Sequence, residues 1–183
     1  MQLILLILLT LGVVMSQQQQ QQQHLLYEPN APDYKTACSQ QSLFDKLAPD
    51  PALSTFMDVL TQVDDIFQLI NNTDNTKDNQ FTVFCPVNSA FRNELDVYTR
   101  GHLDEFLRNH IIPNNKIDAE TLKRLHSPLQ TMLKGETIKV KYHYFSKRII
   151  LNDQAIVDTN AIEAVNGIAY KINHLLRPTE QQN

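Results

Sequence analysis

The sequence predicts an α+β fold in which helices fill the first part of the ordered region and short strands the second. Three observations carry this. Apolar residues recur at spacings of three and four over residues 53–70, they do so again over 103–111, and from residue 137 the period drops to two. Helical runs followed by strand runs argue for segregated elements, not for alternating βαβ units.

Taken in order, Ser42 to Ala48 reads as a short helix with Ser42 as N-cap and Asp45 three residues on. Asp50-Pro51 then sets a capping side chain before a proline at the first helical position, where the missing N–H costs nothing. Leu53, Phe56, Met57, Leu60, Val63, Phe67 and Ile70 form one apolar stripe, which predicts a continuous helix buried on one side. The polar segment NNTDNTKDNQ at 71–80 breaks it. FTVFC at 81–85 is rich in β-branched and aromatic residues and predicts a strand, ended by Pro86 because proline donates nothing to a ladder. Asn88 is expected to cap a short helix over Ala90 to Leu95.

Leu103, Phe106, Leu107, His110 and Ile111 predict a third amphipathic helix over 99–111, closed by Pro113, with a histidine on its apolar face. Ile117 to Leu125 reads as a further short helix ending before Pro128. In GETIKVKYHYF, Ile138, Val140, Tyr142 and Tyr144 share one face of a strand, and Lys139, Lys141, His143 and Phe145 the other. RIIL, QAIV and GIAYKI follow as strands, with turns at Ser146-Lys147 and Asn152-Asp153.

The first sixteen residues, MQLILLILLTLGVVMS, are an uncharged apolar run ending in small residues, and are expected to be a secretory signal peptide. The run is shorter than the roughly 20 apolar residues that cross a bilayer. Residues 17–38 open with seven glutamines and read as a disordered leader. Residues 39–178 form one domain, and 179–183 a short polar tail without the apolar stretch of a lipid-anchor signal. The expected address is extracellular, with a vacuole or another secretory compartment as the alternative.

Cys38 and Cys85 are the only cysteines, so in an oxidising compartment either they form a disulfide or Cys85 is a buried free thiol and Cys38 an exposed one. Cys85 lies among Phe81, Val83, Phe84 and Val87, which argues against a reactive thiol. Asn71-Asn72-Thr73 is a candidate N-glycosylation sequon at Asn71. Charge is unevenly spread: residues 39–105 hold 4 basic and 11 acidic side chains, and residues 106–150 hold 9 basic and 3 acidic ones. The net charge of −4 offers no general case for nucleic-acid binding.

Three blocks, FTVFCPVNSAF at 81–91, FLRNHIIP at 106–113 and AVNGIAYKINHLLRP at 164–178, occur in the order and spacing of a fasciclin I-like domain, which the chain resembles over residues 39–178. Thr82, Cys85, Pro86, Ala90 and Phe91 occupy the places of the family's threonine-bearing strand, its proline corner and the short helix that follows. Asn166, Gly167, Leu176 and Pro178 fit the last block. Tyr170 stands where a histidine is usual, and Asn173 where an aspartate is usual. The resemblance implies a wedge of about seven strands with N-terminal helices packed against it, and a part in extracellular adhesion or in matrix or wall organisation.

In adhesion proteins of this kind a Tyr-His pair among leucines and isoleucines is associated with integrin binding. Here the place reads Leu107, Asn109, His110, Ile111 and Ile112, which makes these the candidate adhesion residues; the competing reading is a histidine hydrogen-bonded in the core. A literal Tyr142-His143 pair lies in a strand outside that block. Lys139, Lys141 and His143, with Lys147 and Arg148 at the neighbouring turn, form a candidate face for an acidic polysaccharide. The bland alternative is an edge guarded by lysines against sheet-to-sheet pairing.

An enzyme is not expected. Past residue 16 only Gly101, Gly135 and Gly167 occur, too few for a phosphate-cradling loop, and no nucleophile elbow or zinc-helix spacing appears. Asp64-Asp65 and Asp104-Glu105 are adjacent on helices and so diverge. No cofactor or metal is called for. The expected partners are surface, matrix or wall components, with self-association as a further route; a carrier of a small hydrophobic ligand or lipid is the alternative function.

Overall fold

Ser42 opens the first helix by pairing two donors that a helix start leaves orphaned. Its hydroxyl accepts the Asp45 N–H at 3.1 Å, and the Asp45 carboxylate accepts the Ser42 N–H at 3.1 Å, a reciprocal capping box. The computed structural model in which this is seen describes residues 40–73, 80–94 and 97–178. The signal peptide, leader, Cys38 and tail expected from the sequence lie outside the described residues.

The helices are α1 (Leu43–Leu47), α2 (Ser54–Leu60), α3 (Asp64–Asn71), α4 (Asn88–Glu94), α5 (Val97–Gly101), α6 (Leu103–Asn109) and α7 (Ala119–Arg124). The strands are β1 (Phe81–Pro86), β2 (Ile111–Ile112), β3 (Leu129–Gln130), β4 (Thr137–Ile138), β5 (Val140–His143), β6 (Arg148–Leu151), β7 (Ala155–Val157), β8 (Ile162–Glu163) and β9 (Gly167–Ile172). Helices thus lead and strands follow, as the sequence predicts. Seven strands form one sheet in the order β2-β1-β9-β7-β6-β5, with β8 also on β9, while β3 and β4 pair separately.

Three expectations for the helices are corrected. The stripe over 53–70 is a 3-10 turn, Pro51–Leu53, followed by α2 and α3. The Thr61 hydroxyl and the Gln62 amide both donate to the Asp58 carbonyl at 3.0 Å, Val63 is extended, and Asp64 and Asp65 start a new helix at its positive end. Both pieces bury their apolar side in one cluster, so the period survives the break. The helix expected over 99–111 is likewise α5, α6 and β2: His102 leaves helical geometry, and His110 is the C-cap of α6. Asn88 does not cap its own helix. It accepts the Thr55 N–H at 3.0 Å and donates to the Pro51 carbonyl at 2.9 Å, stapling the start of α2.

The centre of the sheet is the parallel pair β1–β9, in register from Phe81 opposite Gly167 to Pro86 opposite Ile172. Both of its faces are covered, as parallel strands require. Phe81, Val83 and Cys85 pack with the helices, whereas Phe84, Ile168, Tyr170 and Ile172 pack in a second cluster with Ile149, Leu151 and Val157. Gly167 has a steric reason: a Cβ there would lie 2.5 Å from the Phe81 carbonyl oxygen.

The strand expected from residue 137 breaks at Lys139 into β4 and β5, because Asn152 clasps Lys139 by accepting its N–H at 2.9 Å and donating its own N–H to its carbonyl at 2.9 Å. The alternation holds around that break. Ile138 is buried and Val140 and Tyr142 half-buried, while Lys139, Lys141 and His143 are exposed. Tyr144, expected inward, is exposed in the turn beside a fully exposed Phe145. Both expected turns are present: Lys147 has a positive φ, as do Asn152 and Asp153, the paired left-handed geometry of a tight hairpin.

Candidate functional site

Leu107, Asn109, His110, Ile111 and Ile112 are all buried, so in this fold none of the five reaches the surface. His110 Nε2 accepts the Leu176 N–H at 3.0 Å, and Nδ1 lies 2.7 Å from the Phe106 carbonyl. The first bond leaves Nε2 unprotonated, which puts the proton on Nδ1 and makes it the donor to Phe106. Burial pushes the His110 pKa down from 6.5 to about 4. Asn109 completes a two-point clamp by donating from Nδ2 to the Leu176 carbonyl at 2.8 Å. The Asn-His pair therefore ties α6 to the chain after β9.

Cys85 is fully buried, and burial raises the pKa of its thiol well above the ordinary range, opposite to what a nucleophile needs. Asn71 ends α3 on the surface, where its Oδ1 accepts the Ser42 hydroxyl at 3.2 Å. Among the described residues, no three His, Cys, Asp or Glu side chains converge as a metal site. No helix among them is long and apolar enough to cross a membrane.

The five basic candidates do come together on one hairpin. Lys139, just before β5, and Lys141 and His143 within it are exposed, and Arg148 of β6 sits directly opposite His143, so cross-strand pairing puts it on the same face. Lys147 stands in the connecting turn, and all five are exposed. Lys141 holds Asp153 at 2.5 Å, and this pairing keeps the aspartate below the usual carboxylate range. Lys123 and His126, which sequence reasoning missed, approach β5 from the other side of a groove of about 550 Å³. The only available signal was the excess of basic residues over 106–150, since nothing in spacing says that α7 lies beside β5.

A family model described as the fasciclin domain matches residues 51–178. The chain belongs to the fasciclin domain family. It is 30% identical to rat (Rattus norvegicus) Stabilin-2 over 101 residues, which is 54% of this chain and 7% of that protein. It is 32% identical to mouse (Mus musculus) Stabilin-1 over 107 residues, 56% of this chain and 4% of that one. The chain thus spans less than a tenth of the length of these curated relatives. A solved FAS1 domain pair from the insect cell adhesion molecule fasciclin I matches with a TM-score of 0.60 at 20% identity, covering 76% of this chain and 52% of that one.

In this fasciclin domain the two residues that depart from the family pattern are both hydrogen-bonded. Tyr170, fully buried and stacked on Phe84 at 6.0 Å, donates its hydroxyl to the Ile117 carbonyl at 2.8 Å. Asn173 Oδ1 accepts the Ile156 N–H at 2.7 Å. The residues that fit the pattern are joints as well. Thr82 Oγ1 donates to the Asn115 carbonyl at 2.7 Å and accepts the Ile117 N–H at 2.9 Å. Asn166 accepts the Leu43 N–H at 2.8 Å and donates to the Ile70 carbonyl at 2.9 Å.

Proposed function

We propose that this fasciclin domain is a non-catalytic binding module acting outside the cell, in adhesion or in the organisation of matrix or wall, and that it takes an acidic polysaccharide on the face of Lys139, Lys141, His143, Lys147 and Arg148. The observation that supports this most directly is that these five side chains are exposed together on one hairpin, while the competing set around His110 is buried. The match to a domain pair from an insect cell adhesion molecule supports the adhesive role. Several weak contacts from exposed cations sum to useful affinity only at modest ionic strength, because at 0.15 M salt the attraction between exposed charges is largely screened beyond about 8 Å.

Retention on immobilised dextran sulfate and on neutral dextran, over a series of salt concentrations, tests the reading. Retention by the sulfated polymer alone, declining with salt and weakened by the combined changes Lys139→Gln, Lys141→Gln and Arg148→Gln, is the expected result. Equal behaviour of the two polymers, or a triple variant that binds like the parent, would reject the face.

A further inference from the structure

Among the described residues, β5 is the last strand of its sheet and its outer edge pairs with no other strand. The bond from Asn152 N–H to the Lys139 carbonyl fixes the phase of the β5–β6 ladder. Lys139, Lys141 and His143 turn their backbone groups toward β6, and Val140 and Tyr142 turn theirs the other way. Because β5 ends its sheet, no strand of that sheet meets them.

What lies on that side is a strand that stops short. β3 pairs with β4 in a register that sets Leu129 opposite Ile138 and Gln130 opposite Thr137. Extended, the same register would bring Ser127 opposite Val140 and Leu125 opposite Tyr142. The pairing ends at Leu129 instead, next to Pro128, which has no N–H to give. Between the segment 125–128 and β5 the groove of about 550 Å³ opens.

We propose that this groove binds an extended acidic peptide segment of a partner protein, added as a further strand on β5. Backbone donors and acceptors repeating along an edge are matched by another strand, which bonds to them whatever its side chains. A polysaccharide has no such repeat. The charge of the guest follows from the lining, which holds Lys123, Lys139, Lys141, His126 and His143 and no carboxylate. Lys123 and Lys141 meanwhile hold Glu120 and Asp153 in exposed pairs, weak enough for incoming carboxylates to displace.

Side-chain alternation sets the rest of the preference. One set of guest side chains meets Val140 and the rings of Tyr142 and Tyr144, which contact each other edge-on at 4.9 Å; the other set meets the lysines. A segment alternating acidic and apolar residues satisfies both. Val140 to Tyr144 accommodates a guest of about 16 Å, at roughly 3.3 Å per residue. Lysines on an edge repel chance pairing, so here the same cations would exclude neutral and basic strands and admit an acidic one.

The test uses 15N-labelled protein and a capped octapeptide alternating glutamate and valine. Binding is expected to slow hydrogen exchange at the Val140 and Tyr142 amides at least tenfold while leaving Lys141 and Ile150, whose amides already face each other, unchanged. The lysine–valine counterpart should not bind. A glutamate–valine peptide N-methylated at every residue keeps its charge but has no N–H to donate on either edge, and should bind at least tenfold more weakly; Lys123→Gln should weaken the unmodified peptide severalfold. Equal binding of the N-methylated peptide overturns the proposal. So does an absence of binding, or binding that leaves Val140 and Tyr142 unprotected and is fully displaced by dextran sulfate, which would mark a plain electrostatic patch. Polymer retention is read separately, so either reading can fail alone.

Discussion

The imidazole Nε2 of His110 accepts the backbone N–H of Leu176 at 3.0 Å, joining residues 66 positions apart. That bond exists only while the ring is neutral, and the Asn109 amide beside it holds the carbonyl of the same residue. The segment that the family resemblance marks for recognition is, in this chain, the lock between α6 and the chain that leaves β9.

A pH dependence follows. The pKa of His110 is lowered from 6.5 to about 4, so between those values the unfolded chain takes up a proton that the folded one refuses. Stability from this residue is therefore full above pH 6.5, declines as the pH falls and levels off below about 4, a loss of about 3 kcal/mol across the window. Urea unfolding at pH 7 and pH 4.5 should show it. His110→Gln should lower stability at pH 7 and flatten the slope; a variant as steep as the parent would assign the acid loss to other groups.

Asn166 is the second joint. Its replacement by alanine leaves the Leu43 N–H and the Ile70 carbonyl without their side-chain partner inside the protein. A cost of about 3 kcal/mol is expected. Gly167→Ala should be at least as damaging, since the added methyl meets backbone and cannot be relieved by a rotamer change. Thermal denaturation of the two variants would measure both, and unchanged midpoints would contradict the account.

Cys85 should be inert to iodoacetamide in the folded protein, given its complete burial and raised pKa. Once guanidinium unfolds the chain, labelling located by mass spectrometry should proceed. Labelling that also requires a reductant would show that the protein carries the Cys38–Cys85 bridge.

Asn71 should carry a glycan when the chain passes through a eukaryotic secretory pathway. The residue is exposed at the end of its helix, and Thr73 completes the sequon. Glycosidase treatment should lower the mass of the parent and leave Asn71→Gln unchanged. A parent of unaltered mass would refute the site.

Much of the local structure could be read before any coordinates. Ser42 with Asp45, Asp50 before Pro51, the alternation from Ile138 to His143 and the two turns all rest on contacts between near neighbours in sequence. The breaks at Thr61–Val63 and at His102 could not be read from periodicity, which reports the buried side of a segment and is blind to a helix that stops and restarts in phase. Acidic pairs at Asp64-Asp65 and Asp104-Glu105 were the overlooked sign, each sitting in the first turn of the new helix. The His110–Leu176 and Asn166–Leu43 bonds, and the approach of Lys123 to β5, depend on partners brought close only by the finished fold. For that reason the basic face was legible, its residues sharing one hairpin, while the groove beside it was not.

The pairing of β1 with β9 bears on how this domain is made. The two strands at the middle of the sheet are 86 positions apart in register, Phe81 beside Gly167, so the backbone of the core cannot close until nearly the whole domain has been synthesised. Such distant contacts slow folding, because a long loop must be ordered before any of them forms. Until Ile172 has emerged, β1 presents an uncovered apolar edge, the kind of surface that engages chaperones or aggregates. Yield of folded protein should therefore respond more sharply to the rate of translation and to chaperone supply than the domain's modest size would lead one to expect.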